Sequence, residues 1–172
     1  MQLSKEPFIT ADALDTRIRE LATEVDAAFS QTTPVLLTVL KGAKPFAESL
    51  AKKLTITFDT GTIQARSYEG TESTGNVEID FNSKATVAGR HVLLIEDILD
   101  TGRTAAALIE HIQAHKPASL KIVSLLDKPS RRIEAVNADW VGFTIEDLFV
   151  VGFGMDYNQN FRDLDDIRIL EP

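Results

Sequence analysis

The chain has 172 residues, no cysteine and a formal net charge of −8, with 44% apolar and 26% charged residues; this is the balance of one globular domain with a real core. The missing cysteines exclude disulfides and thiolate–metal sites. The acidic balance argues against broad nucleic-acid binding, where a basic face supplies most of the affinity, and requires local cations or a metal for any anionic substrate.

No run approaches the ~18 consecutive apolar residues of a membrane span. The polar residues 1–10 lack a signal-peptide apolar region, so a cytoplasmic protein is expected. Thr10 predicts an N-cap for a helix through residue 29, with Leu14, Ile18, Leu21 and Val25 at helical spacing. Pro34 opens a strand over 35–40 whose run, apolar but for Thr38, predicts burial on both faces. Lys41-Gly42 ends it, and a helix follows over 44–53 with Pro45 in its first turn. A strand over 62–68 and another over 77–81 flank a polar, glycine-containing loop at 69–76.

Residues 92–95 and 120–126 read as further buried strands, with a helix between them whose apolar face is Ala105, Leu108, Ile109 and Ile112. Short strands follow at 140–143, 149–153 and 167–170. Alternating helices and apolar strands predict an α/β fold, a parallel sheet flanked by helices. One domain spans 1–172, with a core of about 30–145 and a small hood from about 1–12 and 146–172. The hairpin at 62–81 is expected to join the terminal strands in that appendage.

The most informative segment is Val92-Leu93-Leu94-Ile95-Glu96-Asp97-Ile98-Leu99-Asp100-Thr101-Gly102-Arg103-Thr104. It runs from an apolar strand through paired acids and a polar turn with one glycine to a helix start. In open parallel sheets ligands bind at the carboxyl ends of strands, and a helix start offers free N–H groups and a positive dipole end. Gly102 lets a phosphate approach the backbone, and Thr101 and Thr104 add hydroxyls. Most phosphate loops avoid acids, because two anions repel. Carboxylates retained here point to a ligand that carries phosphate and also offers hydroxyls, a metal or a proton to remove, as a phosphorylated sugar does. A Walker loop is excluded by the absence of a glycine five residues before Gly102. A dinucleotide fingerprint fails because Tyr157 stands where the third glycine after Gly152 and Gly154 is needed. Taken singly, Asp100 and Thr101 read as helix caps and Glu96-Asp97 as a solvated strand end; the ordered set does not.

Ile95-Glu96-Asp97-Ile98-Leu99-Asp100-Thr101-Gly102 resembles the signature of type I phosphoribosyltransferases. Leu40-Lys41-Gly42, Ser67-Tyr68, Ser124-Leu125-Leu126-Asp127-Lys128, Phe149-Val150-Val151-Gly152, Asp156-Tyr157-Asn158 and Phe161-Arg162-Asp163 resemble the hypoxanthine-guanine branch, over about residues 10–170. The resemblance implies transfer of a phosphoribosyl group from phosphoribosyl pyrophosphate to N9 of hypoxanthine or guanine, with Mg²⁺ as cofactor and a homodimer or homotetramer as the assembly. It gives Glu96 and Asp97 the ribose hydroxyls, directly or through the metal, and Asp100 the proton near purine N7. Asp100, Thr101, Gly102, Arg103 and Thr104 would hold the 5′-phosphate; relatives often have lysine at Arg103. Lys41, Gly42 and Arg162 would meet pyrophosphate, with the peptide before Lys41 often cis in relatives. Asp156 would ligate Mg²⁺. Lys128 would donate to purine O6, Phe149 would stack on the ring, and Val150 would offer backbone groups to the base edge. Ser67 and Tyr68 would lead into a loop that closes over the site.

Each assignment has an ordinary counterpart. Lys41 reads equally as a surface lysine, Lys128 as a loop lysine before Pro129, Phe149 as core, and Arg162 as a partner of Asp163 or Asp165. A relative specific for xanthine, and a regulator that binds nucleotide or RNA without turnover, are the competing functions. Asp100, Lys41, Asp156 and Arg162 in place, with a net charge of −8, weigh against the regulator.

Overall fold

A computed structural model describes residues 1–67, 77–83 and 86–171. Its main sheet has six strands: β2 (Val35–Val39), β3 (Asp59–Ser67), β4 (Val77–Ser83), β5 (His91–Leu99), β6 (Ser119–Asp127) and β7 (Trp140–Thr144). They lie in the order β4-β3-β2-β5-β6-β7, parallel except for β4. The strands β1 (Gln2–Leu3), β8 (Val150–Val151) and β9 (Arg168–Glu171) form a separate sheet that joins the two ends of the chain.

The helices are α1 (Ala11–Ala28), α2 (Lys44–Lys53) and α3 (Arg103–Ala114). The Thr10 side chain accepts from the Ala13 N–H at 3.1 Å, the cap its residue type predicts, and Pro45 sits in the first turn of α2. Leu14, Ile18 and Leu21 of α1 and Phe46 and Leu50 of α2 pack with Leu36, Leu93 and Ile95 on one face of the sheet. Leu108 and Ile112 of α3 pack with Val35, Leu37, Val92 and Leu94 on the other. Successive residues of β2 and β5 therefore enter opposite cores, which is why Val35–Leu37 and Val92–Ile95 are apolar without interruption.

The hairpin departs from expectation. β3 pairs in parallel with β2 from Val35↔Asp59 to Val39↔Ile63, and β4 closes the edge of the main sheet against β3. Ile63, Ala65, Ile79 and Phe81 belong to the core beneath α3, and the Phe81 ring stacks on His115 with centroids 5.2 Å apart. The hairpin is thus part of the main sheet, and only the terminal strands form the second one.

The chain turns one way from β2 to β3, through α2, and returns to place β5 on the other side of β2. The carboxyl ends of β2 and β5 consequently diverge into a crevice, the topological switch point where open α/β sheets bind ligands.

Thr10→Ala is expected to destabilise the fold by about 1 kcal/mol through loss of the α1 cap. Urea denaturation checks this: the midpoint should fall with an unchanged slope, and an unchanged midpoint would remove Thr10 from the account.

Candidate active site

A cavity of about 470 Å³ opens at the switch point. Lys41 and Gly42 enter it from the end of β2, Glu96 and Asp97 from the last residues of β5, Asp100 from the turn that follows, Thr104 from the first turn of α3, and Lys128 from the end of β6. Phe149, Val150, Asp156 and Arg162 close it from the C-terminal segment. Residues separated by more than a hundred positions meet here because the strands that deliver them are parallel and end at one side.

The turn at 100–102 leads into α3 at Arg103, where the sequence predicts a helix start. Gly102 caps α3 in the left-handed region at φ 85° and has no side chain of its own to cap the helix. Among the described residues, the N–H groups of Thr101, Gly102 and Thr104 donate to no acceptor, and Arg103 N–H reaches Thr101 Oγ1 only at 3.4 Å. The carbonyls of the same turn are engaged from behind. Thr101 O accepts from Ile133 and Glu134 N–H at 2.8 and 3.0 Å, and Arg132 Nη1 donates to Asp100 O at 2.6 Å and Leu99 O at 3.2 Å. The Arg132 guanidinium also pairs with Asp127. With its oxygens fixed on one side, the turn leaves its N–H groups to the other. Gly102 is buried and the Arg103 side chain exposed, so Arg103 contributes to the turn through its backbone.

Glu96 and Asp97 stand at the crevice floor. Glu96 is 6% exposed and accepts the Asp97 N–H at 3.1 Å, while Asp97 Oδ1 accepts the Ile98 N–H at 2.8 Å. Burial, and then the neighbouring Asp97 carboxylate, pushes the Glu96 carboxyl well above its usual range. Gly42 faces this pair so closely that a Cβ there would overlap the Asp97 carboxylate. The Leu40–Lys41 peptide is cis.

Lys128 is buried at 6% exposure, unlike the loop lysine its position before Pro129 resembles. Its ammonium makes no hydrogen bond with a described residue, and its carboxylate partner, Asp147 Oδ1, is 3.9 Å away. The stem of Lys128 is buried while its ammonium, held only by that long contact, keeps donors for an acceptor in the cavity it lines. Phe149 is the converse: an apolar ring expected in a core, yet 47% exposed on the cavity wall, held edge-on by Tyr157 with centroids 5.7 Å apart. Val150 is buried beside it. Arg162 pairs with Asp156 at 2.8 Å rather than with Asp163 or Asp165, and donates to Gly154 O at 2.7 Å. Asp156 Oδ2 also accepts the Gln159 N–H at 2.7 Å, which fixes this carboxylate at the cavity edge. Ser67 ends β3 at the carboxyl side of the sheet; Tyr68 and the loop at 69–76 lie outside the described residues.

Sequence reading missed Arg131, Arg132 and Asp147. Arg131 Nε donates to Asp100 Oδ1 at 3.0 Å. That bond, followed by the Asp100 and Asp147 charges, holds the Arg131 guanidinium further into its protonated range. An Arg-Arg pair after Pro129 looks like a solvated surface; the short 3₁₀ turn η1 (Pro129–Arg131) is what folds it back over the phosphate-sized turn.

A carboxyl whose folded value is raised supports the fold only while protonated, and that contribution is lost as pH rises through the raised value. Ligand-free Glu96→Gln should therefore melt about 2–4 °C above wild type at neutral pH, the shift that about 1 kcal/mol produces in a domain of this size. The two should converge in acid. A wild-type advantage at neutral pH would contradict the assignment.

Comparisons with known proteins identify the family. A family model described as "Phosphoribosyl transferase domain" matches residues 10–158. The bifunctional protein TilS/HprT of Listeria innocua is 44% identical over 166 residues, which cover 96% of this chain but only 26% of that protein, so the chain spans about a quarter of that relative's length. The hypoxanthine-guanine phosphoribosyltransferase of Bacillus subtilis is 39% identical over 166 residues, covering 96% of this chain and 92% of that one. A crystal structure of a hypoxanthine-guanine phosphoribosyltransferase from Bacillus anthracis superposes with a TM-score of 0.90 at 36% identity, covering 97% of this chain and 99% of that one. The signature turn, the cavity it borders and these likenesses place the chain in the type I phosphoribosyltransferase family, in its hypoxanthine-guanine branch.

Proposed function

We propose that the chain transfers the 5-phosphoribosyl group from phosphoribosyl pyrophosphate to N9 of hypoxanthine or guanine, giving IMP or GMP and pyrophosphate, a purine-salvage reaction. The observation that carries this reading is one cavity bordered by a helix start with free N–H groups, an acid pair of which Glu96 is buried, and a thinly partnered buried lysine beside an exposed phenylalanine. Those three features suit, in order, a 5′-phosphate, a vicinal diol and a 6-oxopurine.

In this reading the N–H groups of Thr101, Gly102, Arg103 and Thr104 hold the 5′-phosphate, aided by the α3 dipole. Glu96 and Asp97 accept hydrogen bonds from the ribose hydroxyls. Phe149 stacks on the purine, Val150 meets its edge through backbone groups, and Lys128 donates to O6. The bond from C1′ to pyrophosphate breaks as the bond from N9 to C1′ forms, through a cationic sugar. Asp100 accepts or shares the proton at N7 as the base becomes nucleophilic. Lys41, Gly42 and Arg162 offset the charge growing on pyrophosphate, so catalysis comes mainly from positioning and electrostatics.

Mg²⁺ belongs to the same proposal, with Asp156, Glu96 and Asp97 as its protein donors. Among the described residues no three His, Asp or Glu side chains form a ready metal cluster. That suits a hard cation taken up through one or two carboxylates, water and substrate oxygens. When bound, Mg²⁺ neutralises pyrophosphate charge. Cytoplasmic placement and a homodimer or homotetramer complete the reading. No helix among the described residues is long and apolar enough to cross a membrane, and light scattering on the purified chain would report the assembly.

The direct test supplies Mg²⁺ and phosphoribosyl pyrophosphate with hypoxanthine, guanine, xanthine or adenine in turn. IMP and GMP should form and AMP should not. Product from xanthine alone would move the chain to a xanthine-specific relative, and nucleotide bound without any turnover would make it a regulator. Asp100→Asn should lower kcat by about 10²-fold or more, the scale of general acid–base catalysis, while GMP affinity changes less than about threefold. Equal losses in both would mean that Asp100 acts in ground-state binding. Lys128→Ala should erode the preference for hypoxanthine over adenine by about 1–3 kcal/mol, the cost of an unpaired buried polar group. An unchanged preference would assign O6 recognition to another residue.

A further inference from the structure

Two side chains beside the purine-facing groups have no part in the reaction as outlined above. Arg131 Nε bonds Asp100 Oδ1 at 3.0 Å, and its Nη1 stands 3.5 Å from Asp147 Oδ2. Asp147 Oδ1 is in turn 3.9 Å from Lys128 Nζ. Charges alternate along this row, from Asp100 through Arg131 and Asp147 to Lys128, so the acid assigned to N7 and the donor assigned to O6 are tied to one another.

Among the described residues, Arg131 is the one side chain that hydrogen-bonds the Asp100 carboxylate, and it engages Oδ1 alone, leaving Oδ2 for a ligand. The Arg131 and Asp100 side chains are 45% and 38% exposed. At that exposure a single ion pair adds little to folding. What the contact does instead is fix direction: it removes rotamer freedom from a short carboxylate that must meet one ring nitrogen. Errors of about 1 Å in such placement cost about 10²-fold in rate.

We infer that Arg131 is a positioning residue for phosphoribosyl transfer, acting through Asp100 and itself anchored by Asp147. The inference rests on the role given to Asp100 in the proposed function. Arg131 holds one oxygen of the acid so that the other is presented to the incoming purine. Asp147 keeps the guanidinium from swinging into solvent, and its neighbouring contact with Lys128 gives way when O6 arrives.

The experiment compares Arg131→Met, Arg131→Lys and Asp147→Asn with wild type, using Mg²⁺, phosphoribosyl pyrophosphate and hypoxanthine, together with melting temperatures. Arg131→Met should lower kcat by about tenfold or more, with the KM for phosphoribosyl pyrophosphate within about twofold and the melting temperature unchanged. Arg131→Lys should restore most of kcat, and Asp147→Asn should show the same pattern more weakly. In an Asp100→Ala background, Arg131→Met should cost less than about twofold further, because the group it acts through is gone. A kcat for Arg131→Met within about twofold of an active wild type would overturn the inference alone. So would a loss that persists undiminished without Asp100, or one that follows the melting temperature and is not rescued by lysine. Wild-type protein that makes no nucleotide from any base would overturn the proposed function and this inference with it.

Discussion

A phosphate set beside Glu96, Asp97 and Asp100 would be repelled unless fixed positive charge held it there, and in the proposed function the start of α3 supplies that charge as oriented N–H dipoles. The arrangement depends on keeping those groups uncommitted. Gly102, in a left-handed conformation, starts the helix without a side-chain cap, and Arg132 with the Ile133 and Glu134 amides occupies the carbonyls of the same turn from behind. A turn whose oxygens are fixed on one face can present only donors on the other. Backbone dipoles do not titrate and do not swing away, so acids can stand close by for work on hydroxyls and protons.

The sheet topology supplies the rest. Because β2 and β5 part company at their carboxyl ends, Gly42 comes against Asp97, and the residues proposed to meet pyrophosphate and ribose share one crevice. The C-terminal segment then covers the crevice with Phe149, Asp156 and Arg162. The same physical device, parallel strands ending at one side, brings together residues from the whole length of the chain. The terminal sheet of β1, β8 and β9 fixes where that cover lies.

Much of this was legible in the sequence, and for identifiable reasons. Helix α2 runs over the predicted residues because Pro45 and two amphipathic turns delimit it, and α1 begins after Thr10 because a threonine there has an amide to cap. The doubly buried strands announce themselves as short apolar runs, Val35–Leu37 and Val92–Ile95. The hairpin does not: β4 is a sheet edge, its alternating polar residues look the same in an appendage, and only its pairing with β3 decides between them. The motif residues of the site were found by likeness, whereas their environments were not. Nothing local says that Lys128 is buried, that Phe149 is exposed, or that Arg162 chooses Asp156 over Asp163, since each outcome depends on segments far away in sequence. Arg131 and Arg132 were invisible for the same reason: adjacent arginines are ordinary on a surface until a short turn folds them over a ligand site.

The central claim is that the α3 start holds the sugar's anion while the neighbouring acids hold its diol. A crystal structure of the protein with GMP tests it most directly. The account predicts the phosphate seated on the amides of Thr101, Gly102 and Thr104, the ribose hydroxyls toward Glu96 and Asp97, and guanine against Phe149 with O6 at Lys128. A phosphate bound elsewhere, with the amides of that turn still facing water, would contradict it.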